Sequence, residues 1–363
     1  MKKNEDNKVV AIVGGHFSPA YALVEGLRKQ NIPVIFIGRT DSFTGISSPT
    51  LEHALIKRIS GVTFYPFDSG RFNSKVSNNT IVKQLSLFIR AVIEAWKILY
   101  KTHPKKVIVF GGYLAVPVAL CAFVLRIPIY LHEQTISPGK ATLLIAKIAR
   151  KIFVAFPQAE KYFKSAIITG NPYHSNFLSV KKPSWYTPLP NKPLILVMGG
   201  SSGAHQINVL IENNLPELSK NFQIVHQLGI SEYGDYERMK TYASDNYIPI
   251  PFIAPNEHGY LFSHAELALT RVGANTFFLL VYYGLPSLLI PLPFASNDEQ
   301  QKHAQILENA GVGIILHQND AFIPTVRSLA GNAQNYRIHF TELRDYKKLV
   351  VSPQFILNEI VES

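Results

Sequence analysis

Residues 9–27 read VVAIVGGHFSPAYALVEGL. Five consecutive apolar residues without polar alternation are the pattern of a strand covered on both faces, as the strands of a parallel sheet are. Gly14-Gly15-His16 ends that run, and from Phe17 the spacing becomes helical, with Pro19 in the first turn, where a missing N–H breaks no helical bond. A buried strand that enters a helix through two glycines presents backbone amides and a positive dipole end, both suited to an anion.

The same unit recurs along the chain. PVIFIG (33–38), KVIVFG (106–111), PIYLHE (128–133) and KIFVAF (151–156) are each followed by a helical pattern. A proline-rich stretch without period then intervenes, and alternation restarts with LILVMGG (194–200), FQIVHQLG (222–229), ELALTRVG (266–273) and PSLLIPL (286–292). The pattern predicts an α/β chain of two doubly wound, Rossmann-like domains: residues 1–180, a linker over 181–193 and a second domain over 194–340. A length of 363 residues favours this division, since single cores stop growing below that size. Ligands of open parallel sheets bind beyond the carboxyl ends of the strands, which directs attention to GGH (14–16), GGY (111–113), GGSSGA (199–204) and RVGAN (271–275). None is a Walker loop, and no GxGxxG follows a strand.

Charge is unevenly placed. The net charge is +11, but the first 182 residues carry 25 Lys+Arg against 9 Asp+Glu, and the remainder 11 against 16. An anionic partner is expected for the first half, nucleic acid or an acidic membrane surface. Residues 82–101, VKQLSLFIRAVIEAWKILYK, set Leu85, Phe88, Val92, Trp96 and Leu99 along one stripe beside Lys83, Arg90, Lys97 and Lys101, an amphipathic helix with basic flanks. The single cysteine, Cys121, forms no intramolecular disulfide and suits a reducing compartment. The polar start MKKNEDNK has no signal-peptide pattern, and no apolar stretch reads as a membrane span, so a cytoplasmic location is expected.

With these motifs in order, the chain resembles the MurG glycosyltransferases from about residue 9 to about residue 316. The likeness rests on GGHFSPAYAL, FGGYLAVPV, LHEQTISPGKATLLIAKIARKIFVAFP, GNPYH, LILVMGGSSGAHQIN, VHQLG, TRVGANT, GLPSLLIPLP and NDEQQKHA. It implies a GT-B architecture, two Rossmann-like domains facing a cleft with a C-terminal helix, 341–363, returning to the first domain. It further implies inverting transfer of N-acetylglucosamine from UDP-N-acetylglucosamine to a polyprenyl-pyrophosphate-linked muramyl-peptide, without cofactor or metal. On the donor side it gives Ser201 to the diphosphate, Ile253 to the border of the uracil, and Ala274, Asn275 and Thr276 to the nucleotide and phosphate turn. Gln300 would hold the sugar hydroxyls with Gln301 assisting. On the acceptor side Gly14 and Gly15 would offer amides to a pyrophosphate. His16 would take the proton of the attacking hydroxyl or contact the pyrophosphate. Thr135, Asn171 and His174 would face the cleft, with Glu133 orienting a neighbour. The basic helix is implied to face the cytoplasmic membrane leaflet, with Phe88 and Trp96 in lipid and Lys83, Arg90 and Lys97 beside it, so the anionic partner becomes a membrane and not nucleic acid.

Four positions depart from the family pattern. The first glycine loop is short, Ala11-Ile12-Val13 standing where a further Gly-Gly-Thr is usual; Thr135 replaces an asparagine; and His174 replaces an arginine, which predicts pH-sensitive phosphate binding. Leu279 stands where a glutamate would bind the ribose hydroxyls. Three readings stay open: a MurG-type transferase with altered donor recognition, a GT-B transferase for another sugar or polyprenyl-linked acceptor, and a non-catalytic membrane-binding paralogue.

Overall fold

A computed structural model of the chain describes residues 9–40, 51–69, 78–200, 203–292 and 298–361. They divide into two compact units, residues 1–174 with 351–363, and residues 175–350. Unit 1 opens with the quoted stretch as β1 (Val10–Val13), wholly buried, and α1 (Phe17–Lys29). The alternation continues through β2 (Val34–Gly38), α2 (Leu51–Ile56), β3 (Val62–Pro66), α3 (Asn78–Thr102), β4 (Lys106–Val109), α4 (Gly112–Val124), β5 (Ile129–Glu133), α5 (Lys140–Ala146), β6 (Lys151–Val154), β7 (Ile167–Ile168) and β8 (Asn171–Pro172). The first seven strands form one parallel sheet in the order β3-β2-β1-β4-β5-β6-β7. Val10 lies opposite Val34 on one side and Lys106 on the other. Strand order therefore reverses between β1 and β4, and the GGH and GGY turns leave from the ends of these two strands.

Unit 2 repeats the plan with β9 (Leu194–Met198), α6 (His205–Asn221), β10 (Gln223–Gln227), α7 (Asp235–Met239), β11 (Tyr247–Ile250), α8 (His258–His264), β12 (Leu267–Thr270) and α9 (Ala274–Tyr283). It continues with β13 (Ser287–Leu289), α10 (Glu299–Asn309), β14 (Gly313–Ile315), α11 (Phe322–Gly331), α12 (Ala333–His339) and α13 (Arg344–Lys347). Its sheet is parallel in the order β11-β10-β9-β12-β13-β14, with the reversal between β9 and β12. The proline-rich stretch read as a linker is fastened to this unit. The buried Tyr186 donates its hydroxyl to Gln223 Oε1 at 2.9 Å, and Trp185 Nε1 donates to Glu257 Oε1 at 2.7 Å. Tyr186 gives this stretch an apolar burial that a prolyl spacer lacks, and the exposed Trp185 adds a hydrogen bond.

The chain then returns to unit 1. β15 (Val350–Val351) pairs with β8, and Tyr173 N–H donates to Val351 O at 3.0 Å. α14 (Pro353–Val361) follows, and its Ile356, Leu357 and Ile360 enter the unit 1 core beside Leu23, Val24 and Leu27 of α1. Close approach of the two helices requires Gly26, where a Cβ would lie 2.5 Å from Leu357 Cδ1. Lys106 Nζ donates to the Ile360 carbonyl, and Lys151 Nζ donates to Glu359 Oε2 at 3.0 Å, so two lysines hold the helix C-terminus.

Helix α3 carries apolar residues on two faces, and only one packs. Ala91, Ala95, Ile98 and Leu99 are buried, with Phe88 and Val92 half-buried beside them. The outer face presents Leu85, Ile89, Ile93, Trp96 and Tyr100, spaced by four, four, three and four residues, with Arg90, Lys97 and Lys101 also exposed. The expected stripe is thus divided: Leu85 and Trp96 face outward, Leu99 packs inward and Phe88 is half-buried. The reason is rotational, since four- and three-residue steps from Leu85 lead to Ile89 as readily as to Phe88. The side chain of Lys83 lies outside the described residues.

Leu357→Ala is expected to destabilise unit 1 by about 2–5 kcal/mol, the usual cost of such a truncation in a packed core. Denaturant unfolding should show a lower midpoint with an unchanged slope.

Candidate active site

In unit 1 the β1–α1 turn delivers His16 to the point where strand order reverses. Its Nδ1 lies 2.7 Å from the carbonyl oxygen of Phe110, which follows β4. A carbonyl only accepts, so Nδ1 carries the proton and the neutral ring keeps its lone pair on Nε2. Gly14 N–H donates to Ile37 O at 2.8 Å and closes the turn, while Gly15 adopts φ +120°, a value that L side chains rarely take. Across the reversal, Gly111 has φ +73°, and a Cβ there would lie 2.3 Å from Thr142 Oγ1.

Glu133 ends β5, is buried, and accepts from Thr135 twice, from N–H at 2.8 Å and from the hydroxyl at 2.7 Å. Thr135 is accordingly an internal partner of this carboxylate. Two other expected cleft residues are placed inside unit 1. Asn171 is fully buried and hydrogen-bonds Tyr173 beside the β8–β15 ladder. His174 is 3% exposed, contacts the Glu25 carboxylate of α1 through Nε2, and lies against the Tyr21 ring at 5.1 Å. The ring is thus turned onto an acid where the β8–β15 ladder packs on α1.

In unit 2 the β9–α6 turn lies at the second reversal. Gly200 and Gly203 have φ +90° and +80°, and a Cβ on Gly203 would meet Leu228 O at 2.0 Å. Ser201 lies outside the described residues. Arg271 follows β12 on the other side of the reversal, its N–H donating to Met198 O at 3.2 Å. The side chain is 8% exposed; Nη2 donates to Gln206 Oε1 at 3.1 Å, and the buried Nη1 has no partner among the described residues. Burial lowers its proton affinity, yet a guanidinium remains charged near neutrality. Arg271, His205, Gln206, Tyr233, Gln300 and the glycine turn line a pocket of about 390 Å³ within this unit.

Of the remaining donor-side expectations, Gln300 alone is in the lining of that pocket. Ala274 is buried and Asn275 and Thr276 are half-exposed in the first turn of α9. Gln300 lines the pocket and its Oε1 accepts from Leu292 N–H at 3.0 Å, whereas Gln301, about 100° further round α10, is exposed and outside the lining. Ile253 is buried, and its backbone N–H donates to Gln227 Oε1 at 3.0 Å. Leu279 is 3% exposed and has no polar atom to offer a ribose.

Two halves of the chain match family models: residues 13–154 the glycosyltransferase family 28 N-terminal domain, and residues 194–335 the family 28 C-terminal domain. A Bacillus cereus protein named UDP-N-acetylglucosamine--N-acetylmuramyl-(pentapeptide) pyrophosphoryl-undecaprenol N-acetylglucosamine transferase 2 is 30% identical over 345 residues, 92% of each chain. The chain belongs to the MurG-type glycosyltransferases of family 28. A similarly named transferase from Caldanaerobacter subterraneus subsp. tengcongensis is 31% identical over 319 residues, 85% of this chain and 84% of its own. The crystal structure of Acinetobacter baumannii MurG superposes with a TM-score of 0.70 at 24% identity, covering 98% of this chain and all of the other. The fold is GT-B.

Sequence reasoning did not find two residues that hold this family 28 site together. Gln227 is buried and donates Nε2 to Gly200 O at 2.7 Å while accepting from Ile253 N–H, so one amide joins the glycine turn to the β11–α8 segment. His303 is buried on α10 and donates Nδ1–H to Val272 O at 2.9 Å, tying that helix to the RVGAN turn. Each sits within a quoted motif, VHQLG and EQQKHA, but in a strand or helix interior where polarity is the only signal.

Burial pushes His303, His258 and His132 down to about 4 and His226 to about 3, all below the ordinary 6.5. The unfolded chain therefore binds protons first on acidification. The stability associated with these neutral imidazoles is complete above about pH 6.5 and is lost as pH falls from there towards about 4. Thermal unfolding should show a falling midpoint across that interval; a midpoint constant down to about pH 4.5 would contradict the assignment.

Proposed function

We propose that the chain transfers N-acetylglucosamine from UDP-N-acetylglucosamine to a muramyl-peptide linked through pyrophosphate to a polyprenol, with inversion at the anomeric carbon. The observation that carries this reading is the unit 2 pocket of a family 28 protein, in which a buried guanidinium, its Nη1 without a partner among the described residues, stands beside a glycine turn and the N-terminus of a 17-residue helix. That combination suits a leaving diphosphate: α6 supplies amides and a positive dipole end, and Arg271 a permanent charge in a poorly hydrated place. The acceptor hydroxyl attacks the anomeric carbon, its proton passes to His16 Nε2, and the bond to UDP breaks with the electron pair remaining on the diphosphate. The Phe110 carbonyl fixes His16 in the tautomer that can accept.

Leu279 favours a second reading, a family member that takes another sugar nucleotide, since loss of a charge-assisted bond costs about 1.5–3 kcal/mol of donor affinity. Comparison of UDP-N-acetylglucosamine with UDP-glucose by calorimetric titration separates the two, and failure of every nucleotide sugar to bind at millimolar concentration would leave only a non-catalytic role.

The protein acts at the cytoplasmic face of the membrane in this reading. The outer face of α3, with Arg90, Lys97 and Lys101, is the docking surface, and each cation near an anionic leaflet contributes about 1 kcal/mol. Phe123 and Val124 at the exposed end of α4, which packs on α3, extend the apolar area. Among the described residues no helix is long and apolar enough to cross a membrane.

Two outcomes are expected. His16→Ala should lower transfer of labelled N-acetylglucosamine by about 10²–10⁴-fold while leaving UDP affinity unchanged; normal turnover would remove His16 from proton transfer. The protein should sediment with vesicles containing anionic lipid at low salt and release at high salt, and Trp96→Glu with Ile93→Glu should weaken the attachment; salt-independent sedimentation would contradict the electrostatic contribution.

A further inference from the structure

The mechanism above leaves one pocket residue without a task. His205 is the first residue of α6 and lines the pocket with Tyr233, on which its ring stacks at 4.0 Å with 11° between planes. Its Nδ1 lies 3.0 Å from both oxygens of the Asp235 carboxylate. Asp235 is 1% exposed and also accepts from Asn208 Nδ2 at 2.7 Å and Arg238 Nη2 at 2.8 Å, while Arg238 makes a two-pronged pair with Glu212. Two carboxylates thus share one guanidinium, and one negative charge is left in excess directly behind a pocket suited to anions.

The carboxylate fixes the state of the ring. It only accepts, so Nδ1 is the protonated nitrogen and neutral His205 holds a lone pair on Nε2. Such a lone pair repels a phosphate oxygen. A proton there reverses the interaction, offering a charged donor to the ligand and neutralising the excess charge of the Asp235 cluster. The ring is already held by Asp235 and Tyr233, so little rotamer freedom is lost when a ligand arrives.

We propose that His205 and Arg271 form the two charges of the diphosphate subsite, one titratable and one permanent, and that capture of the sugar nucleotide takes up a proton on His205. This rests on the pocket being the donor site. The charged groups around His205 are Asp235, with Arg238 and Glu212 behind it, and Arg271 in the same pocket. From α11, which also packs on α6, the one ionisable side chain is Arg327, paired with Glu217 further along the helix. His226, linked to Asp235 through Asn208, is fully buried and is held neutral, so it does not compete for the proton.

The test is calorimetric titration of the full chain with UDP-N-acetylglucosamine between about pH 6 and about pH 8.5, in buffers of different ionisation enthalpy. Both phosphates of this probe are diesterified and have no proton to exchange in that range. Expected are proton uptake on binding that grows towards the alkaline end and a Kd that rises with pH. His205→Gln should abolish the uptake and bind with a pH-independent Kd close to the alkaline wild-type value. Binding by the wild-type chain without proton uptake and with a flat pH profile would overturn the proposal and leave the donor-site reading intact. Absence of any binding by the wild-type chain would overturn the donor-site reading itself.

Discussion

Parallel pairing confines what each unit can do. When every strand of a sheet runs the same way, all strand-to-helix turns emerge along one edge, and a single reversal of order is the place where two neighbouring turns diverge and leave room for a ligand. Each sheet has one such reversal, between β1 and β4 and between β9 and β12. His16 reaches across the first to the Phe110 carbonyl, and Arg271 bonds across the second to Met198. The glycines at these points follow from the same geometry, because the backbone must turn sharply against a neighbouring carbonyl, as Gly203 does against Leu228.

This constraint also explains how much was legible in the sequence. Strands in the middle of a sheet are apolar on both sides, and β1, β2, β4, β5, β6, β9, β10, β12 and β13 were readable as continuous apolar runs. The strands that the hydropathy pattern did not mark are β3, β7, β11 and β14, the four edges of the two large sheets, and the two-residue β8 and β15 of the small ladder. β3 is partly exposed throughout, β11 contains Pro249, tolerated at an edge, and β7 and β14 have two and three residues. Nothing in a window of sequence distinguishes such segments from loops.

At the sites, glycines and chain order carried the reading, and side-chain direction did not. His16 and the RVGAN and GGSSGA turns lie where strand ends must place them. Asn171 and His174 belong to a motif as clear as the others, yet their side chains are spent on the β8–β15 ladder and on Glu25. Gln227 shows the converse, a polar residue inside a strand whose importance depends on two backbone groups from distant parts of unit 2. A sequence states which atoms are available; which neighbour they meet depends on long-range packing.

The β8–β15 ladder bears on the order of events during synthesis. Unit 2 is an insertion: the chain leaves unit 1 after His174 and re-enters it at Val351. Ile356, Leu357 and Ile360 are core residues of unit 1, so the part of that unit made first lacks some of its interior until the segment from Val351 to Val361 has left the ribosome. Unit 2, continuous in the chain, can close before it. The N-terminal unit therefore waits with the apolar side of α1 uncovered for the time taken to translate some 180 residues, about 9–36 s at about 5–20 residues per second, an interval in which chaperone binding or early membrane contact can act.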